Sequence, residues 1–351
     1  MPPSLDSTRA AQDPDVTSAP EPTESPRISP RTGIRGRATD VAVKHSILLL
    51  IVILFIIFSI LQPSTFPTTD NLRAIALDEA VAALLALSVL IVVVSGEFDL
   101  SVAYIVGFAG ILAAKLTGSG MSGGPAIIIT LLAGGAIGLV SGVLVSRFRV
   151  NSLIATLGVG LAVSGLSVGV SGGMTLSSGI SPMFSNLANT QVLGIQTAVW
   201  AVLVVGLVMY VVLTRMPVGR KLYATGGSER VARMVGIRTR VLKTAAFVIA
   251  GLIAAFAGSM QLGISGAASP SFGTSLLLPA FAAVFLGSTS VRPGSFNVWG
   301  TVLVIILLAI GFSGLSLLGV PFWVQPVFQG VALIVGVLLS RSETRATLAA
   351  N

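Results

Sequence analysis

From Arg215 to Lys243 the chain gathers eight basic residues and one acidic residue, while the stretches between Arg149 and Arg215 and between Lys243 and Arg292 carry no charge at all. A folded surface in water needs charge spread over it, so gaps this long are incompatible with a soluble globular fold. They fit a membrane protein with one large cytoplasmic loop. Composition agrees: 54% of the 351 residues are hydrophobic, 10% are charged and mean hydropathy is +0.95, against roughly 25% charged residues in an ordinary soluble domain. The bilayer is the solvent for this chain.

Several function classes fall away on the same grounds. The formal charge of +8 does not point to nucleic acid, because the basic residues sit in a few loops without interleaved aromatics. No cysteine is present and histidine occurs once, which removes disulfides and thiol chemistry and leaves no ligand set for a catalytic metal. No Gly-x-x-x-x-Gly-Lys-Ser/Thr occurs, so phosphates of ATP are not held by this chain. Any energy the chain uses is expected to come from a partner or an ion gradient.

A hydrocarbon core of about 30 Å needs about 20 apolar residues as helix. Candidate spans fall at 45–62, 74–95, 99–117, 124–146, 151–171, 197–214, 244–264, 275–291, 297–314 and 322–340. The expected fold is therefore all-α: a polytopic membrane protein with about ten transmembrane helices, some broken or re-entrant. Residues 1–44 carry six basic and six acidic residues and no apolar run, as expected of a disordered cytoplasmic tail. The transmembrane body is expected to span 45–340, with a cytoplasmic loop at 215–243 and a second cytoplasmic tail at 341–351. With the N-terminus inside, ten crossings put Arg147, Arg149, the basic loop, Arg292, Arg341 and Arg345 on one side, as the positive-inside rule requires. Gly134, Gly138 and Gly142 form a smooth helical stripe suited to close packing on a neighbour.

The basic loop has internal order. Ser228 suits a helix N-cap, Glu229 complements the N-terminal dipole and Gly236 suits the stop. Val231, Met234 and Val235 share one face of the short helix so defined, with Arg230 and Arg233 turned away. A helix this short cannot stand alone, so its apolar face rests on headgroups or on a cytoplasmic partner.

Gly226, Gly227, Glu229, Ala232, Arg233, Gly236 and Ile237, with Ser228 in place of Asn, resemble the Gly-Gly-Asn-Glu-x-Ala-Ala-Arg-x-x-Gly-Ile segment of ribose-type permeases of bacterial ABC importers. The resemblance extends to Gly96–Val102, to 154–158 and to 282–290, and covers nearly everything after residue 45. It implies that Gly226, Gly227, Ser228, Glu229, Arg230, Ala232, Arg233, Met234, Gly236 and Ile237 couple the chain to an ATPase subunit that carries ATP and Mg. It further implies an extracytoplasmic sugar-binding protein, a homodimer or a second similar permease, and a multi-pass location in the bacterial cytoplasmic membrane. Glu97 departs from the family's usual Gly, and Leu277, Leu278 and Pro279 from its Glu-Leu-Asp run.

Glu97 and Asp99 are the only acidic residues between Glu79 and Glu229. A carboxylate deep in lipid costs about 2.5–3.5 kcal/mol on insertion scales, so both are expected to cap a helix break or face water. Asp99, Ser101, Asn151, Ser152, Thr156 and Gln261 are the candidate translocation path, able to hold a neutral polyol through hydroxyl and amide groups without burying a charge. The reading is a non-enzymatic permease subunit of an ATP-driven importer for a monosaccharide, a pentose or related sugar, working by alternating access. The alternatives are an ion-coupled secondary carrier using Glu97 or Asp99, and an ABC permease for branched-chain amino acids or nucleosides.

Overall fold

The computed structural model describes residues 34–321, 323–331 and 334; residues 1–33 of the tail expected at 1–44, the tail at 341–351 and nine residues of the span at 322–340 lie outside them. The chain divides into a unit at 1–39, of which only helical backbone at 34–39 is described, and a main unit at 40–351. The helices are α1 (Ile34–Leu61), α2 (Thr69–Asp78), α3 (Ala80–Val94), α4 (Ser101–Gly118), α5 (Gly123–Ser146), α6 (Ser152–Ser171), α7 (Pro182–Asn189), α8 (Thr197–Thr214), α9 (Pro217–Gly227), α10 (Glu229–Met234), α11 (Thr239–Ser265), α12 (Phe272–Ser275), α13 (Leu277–Gly287) and α14 (Val298–Leu317). The short strands β1 (Gln191–Val192) and β2 (Ile195–Gln196) pair antiparallel, Gln191 opposite Gln196.

The fold is an all-α polytopic membrane protein. Among the described residues seven helical segments are long and apolar enough to cross a membrane: α2–α3 together, α4, α5, α6, α8, α11 and α14. The spans expected at 45–62 and 275–291 correspond to shorter apolar stretches, Ile47–Leu61 and Phe272–Gly287, so the full count of ten does not emerge from helix length. The start of the second lies hard against the backbone of α4: a Cβ on Gly273 would sit 1.9 Å from the Ala103 carbonyl oxygen, and one on Gly107 2.8 Å from the Pro270 carbonyl oxygen. α1 begins inside the stretch expected as a tail.

Helix α3 is buried along its whole length, the signature of an all-apolar helix at the centre of a bundle. It packs on α11, α13, α8 and α14, and Ser88 Oγ donates to the Ala250 carbonyl of α11 at 2.8 Å. The α5 glycine stripe does what its spacing predicts. A Cβ on Gly138 would meet the Phe247 carbonyl oxygen at 2.3 Å and one on Gly134 the Gly251 carbonyl oxygen at 2.6 Å, so α5 and α11 touch backbone to backbone. Outward faces of α5, α6 and α8 carry exposed Ile128, Leu132, Leu161, Val204 and Leu207, surface that only lipid or another membrane helix can cover.

Two ends follow from these contacts. At one end lie the C-terminus of α3, the linker at 95–100, the turn at 147–151, α9, α10, the start of α11 and the segment at 288–297, tied by contacts such as Tyr223 Oη to the Phe296 carbonyl at 2.6 Å. At the other, Leu176 bridges to Ala268, and Asn189 Nδ2 donates to the Gly263 carbonyl at 2.8 Å. The uncharged stretch from Ser171 to Gln196 contains α7 and the β1–β2 hairpin, with Ser181 Oγ accepting from Met183 N–H at 3.4 Å as N-cap and Pro182 in the first turn.

Candidate coupling surface

Helix α10 is short, as its caps predict. Ser228 Oγ accepts from Val231 N–H at 3.4 Å, and Gly236, with φ +80°, closes the helix in the left-handed region that glycine adopts freely. Its apolar face is open: Val231, Met234 and Val235 are 53%, 72% and 71% exposed, while Ala232 is buried against the body. Arg230 and Arg233 differ in role. Arg233 folds back over the helix to pair with Glu229, and its Nε donates to Thr239 Oγ1 at 3.2 Å.

Glu229 is the hub. Besides Arg233, its Oε1 accepts from Thr239 Oγ1 at 3.1 Å and its Oε2 from Lys243 Nζ at 2.8 Å. Burial alone would raise the Glu229 pKa, but the hydrogen bonds from Arg233 and Lys243, the Lys243 charge and the Thr239 bond together hold it down at about 2. Lys243, whose side chain is 8% exposed, also donates to Glu97 Oε1 at 2.5 Å. A buried ammonium stripped of one carboxylate loses several kcal/mol, so the two acids hold each other's cation in place. Behind this group lies a polar cavity of about 380 Å³ lined by Glu97, Arg149, Asn151, Ser152, Arg233 and Lys243.

Gly226 and Gly227 close α9, whose Pro217 sits in the first turn. Gly226 packs against the end of α3: a Cβ there would lie 2.3 Å from the Val94 carbonyl oxygen. No larger residue fits without moving backbone.

Of the six candidate path residues, the structure brings five together. Asp99 is fully buried; its Oδ1 accepts from Ser101 N–H at 2.8 Å and from Ser101 Oγ, which lies 3.1 Å from Ser141 Oγ, while its Oδ2 has no partner. Ser152 Oγ accepts from Phe98 N–H at 3.3 Å and Thr156 Oγ1 from Leu100 N–H at 3.1 Å, so α6 holds the linker by its backbone. Asn151 caps α6, accepting from Leu153 and Ile154 N–H. Gln261 stands apart, eighteen residues after Lys243 on α11, about 27 Å away along a helix that rises 1.5 Å per residue. Glu97 lies in the break between α3 and α4, partly exposed at the edge of the polar cavity and paired with Lys243. Span parity puts Glu97, Glu229 and Lys243 on one side of the membrane but does not pair them.

Among the described residues no group of three or more histidine, cysteine or acidic residues is placed to hold a metal ion. Residues 71–337 match the family model described as branched-chain amino acid transport system / permease component. The chain is 32% identical over 299 residues to the ribose import permease protein RbsC of Escherichia coli (strain K12), covering 84% of this chain and 93% of that one. It is 32% identical over 316 residues to the L-arabinose ABC transporter permease protein AraH of Azospirillum brasilense, covering 89% and 92%. With the D-allose transport system permease protein AlsC of Escherichia coli (strain K12) it is 30% identical over 299 residues, covering 85% and 91%. No solved structure matches the chain.

Proposed function

The chain belongs to the ABC-importer permease family described as branched-chain amino acid transport system / permease component, and from that premise we propose that it is the membrane-spanning subunit of an ATP-driven importer of a monosaccharide, a pentose or related sugar. What carries the sugar reading is that the ribose, L-arabinose and D-allose permeases each align over more than four fifths of this chain and nine tenths of their own length. The subunit itself hydrolyses nothing. ATP and Mg belong to a separate ATPase subunit, and the substrate arrives on an extracytoplasmic sugar-binding protein.

In this reading the end that bears α10 faces the cytoplasm of a bacterial cell, with the N-terminus on the same side. The concentration of Arg147, Arg149, Arg215, Arg220, Lys221 and Arg230 at that end supports it by the positive-inside rule. The exposed face of Val231, Met234 and Val235 is the surface that enters the ATPase, and residues 226–237 form the joint. Two copies, or this chain and a similar permease, enclose the path. Asp99, Ser101, Asn151, Ser152 and Thr156 mark its cytoplasmic end and Gln261 its outer half. Closure of the ATPases moves α10, and the path opens to one side at a time.

The deciding experiment is gentle purification of the tagged chain from its native membrane with identification of what accompanies it, followed by ATP-dependent uptake of D-ribose, L-arabinose and D-allose in vesicles. An ATPase and uptake of at least one sugar are expected. A chain that comes alone, with uptake abolished by an uncoupler but not by ATP depletion, overturns the reading.

A further inference from the structure

The linker at 95–100 is joined to the loop at 226–229 by two independent means. The first is steric: Gly96, with φ +86°, lies so close to Gly226 that a Cβ on it would sit 2.9 Å from the Gly226 Cα. The second is ionic: Lys243 Nζ bridges Glu97 Oε1 at 2.5 Å and Glu229 Oε2 at 2.8 Å. Together they connect the first residue of α10 and the turn before it to two adjacent residues after α3, Gly96 and Glu97.

The other side of the linker reaches further. Phe98 and Leu100 are bound through their N–H groups to Ser152 and Thr156 of α6. Asp99 is bonded to the start of α4, and the Phe98 ring stacks with Phe281 and Phe285 of α13 at centroid distances of 6.3 and 6.1 Å. A displacement that arrives at the linker therefore reaches α3, α4, α6 and α13 together, because close-packed elements transmit strain rather than absorb it.

We propose that Glu97 and Lys243 are positioning residues that tie α10 to the 95–100 linker, so that movement of α10 on ATP binding is passed to the helices enclosing the path. The proposal rests on α10 being the ATPase-docking helix. The glycine contact carries only push, since it is a van der Waals surface. The buried ammonium between two carboxylates also carries pull, and it is shielded from screening by salt.

Because the chain has no cysteine, a single reporter thiol can be placed without background. Ser295 lines the cavity that also borders Gly96, Glu97, Phe98 and Gly226, and Ser295→Cys changes little volume. In the complex with its ATPase subunits, maleimide labelling of this thiol is expected to change at least threefold between nucleotide-free and vanadate-trapped states. Adding Glu97→Gln should abolish that change while the ATPase still co-purifies and still hydrolyses ATP; Glu97→Asp, which keeps the charge with a shorter reach, should give an intermediate response. A nucleotide response that survives Glu97→Gln at full size overturns the tie, as does a parent thiol indifferent to nucleotide. Failure of the ATPase to co-purify with the unaltered chain overturns the docking reading instead, and is told apart by that readout alone.

Discussion

Gly226 and Glu229 sit three residues apart and constrain the coupling end in opposite ways, one by having no side chain and the other by engaging all of its own. Gly226→Ala puts a methyl 2.3 Å from the Val94 carbonyl oxygen, a contact that backbone movement must relieve at a cost of about 1–3 kcal/mol. The expected outcome is a fall in thermal stability of the purified chain and a loss of ATP-dependent uptake larger than that fall explains. Glu229 makes a pH prediction. Its pKa is depressed from the ordinary 4.5 to about 2, so the stability it contributes is complete above about pH 4.5 and is lost as pH falls through about 2. Thermal unfolding compared between the unaltered chain and Glu229→Gln should show a gap that is constant at neutral pH and narrows below pH 4.5; a gap that widens on acidification contradicts the assignment. Sequence alone pointed to Glu229 through its dipole position but not to Lys243. Local pattern says nothing of a partner 14 residues along on another helix, nor of Glu97, which lies 146 residues before that partner.

At the scale of elements, periodicity and caps were informative where a helix depends on its own residues. Asn151 and Ser228 cap the helices they precede, and the Gly134, Gly138, Gly142 stripe lies against α11. α7, α9 and the break between α12 and α13 went unread. Each is shaped by a contact from elsewhere in the chain: Gly263 receives the Phe184 carbonyl of α7, Gly226 receives Val94, and Gly273 receives Ala103. The α5–α11 contact yields a stability test. Gly138→Val forces a branched side chain into backbone that already meets a single added methyl at 2.3 Å, so the variant should lose at least about 1–3 kcal/mol, seen as a lower midpoint in thermal unfolding in mild detergent. Gly158→Val on α6, where an added methyl meets nothing within 4 Å, is the control. If the control loses as much, an unseen partner covers that face of α6, which is itself the result expected of a second permease copy seated there.

For the whole molecule, the question is how a bundle whose central helix is closed on every side can open a path. α3 is buried from Ala80 to Val94 and cannot expose a face without its neighbours separating, so a path must form where helices are less enclosed. α6 and α8 are buried over only 28% and 22% of their spanning windows, against 83% for the segment that contains α3, leaving room for a partner copy. In the function proposed above, the lever enters at α10. Its Val231, Met234 and Val235 are exposed together on one short helix, and burying such a face is worth about 25 cal/mol per Å². Met234→Asp places a charge at the centre of that face without touching the Glu229–Lys243 group. The chain should insert and unfold normally while the co-purified ATPase falls at least tenfold, because a charge buried without a partner costs more than the contact gains. Arg230→Glu, at the edge of the same helix, should weaken association in a salt-dependent way and by less. An ATPase retained at full stoichiometry by Met234→Asp would mean that the joint lies elsewhere on the basic end, and the exposed α10 face would then have to be explained by the headgroups it lies against.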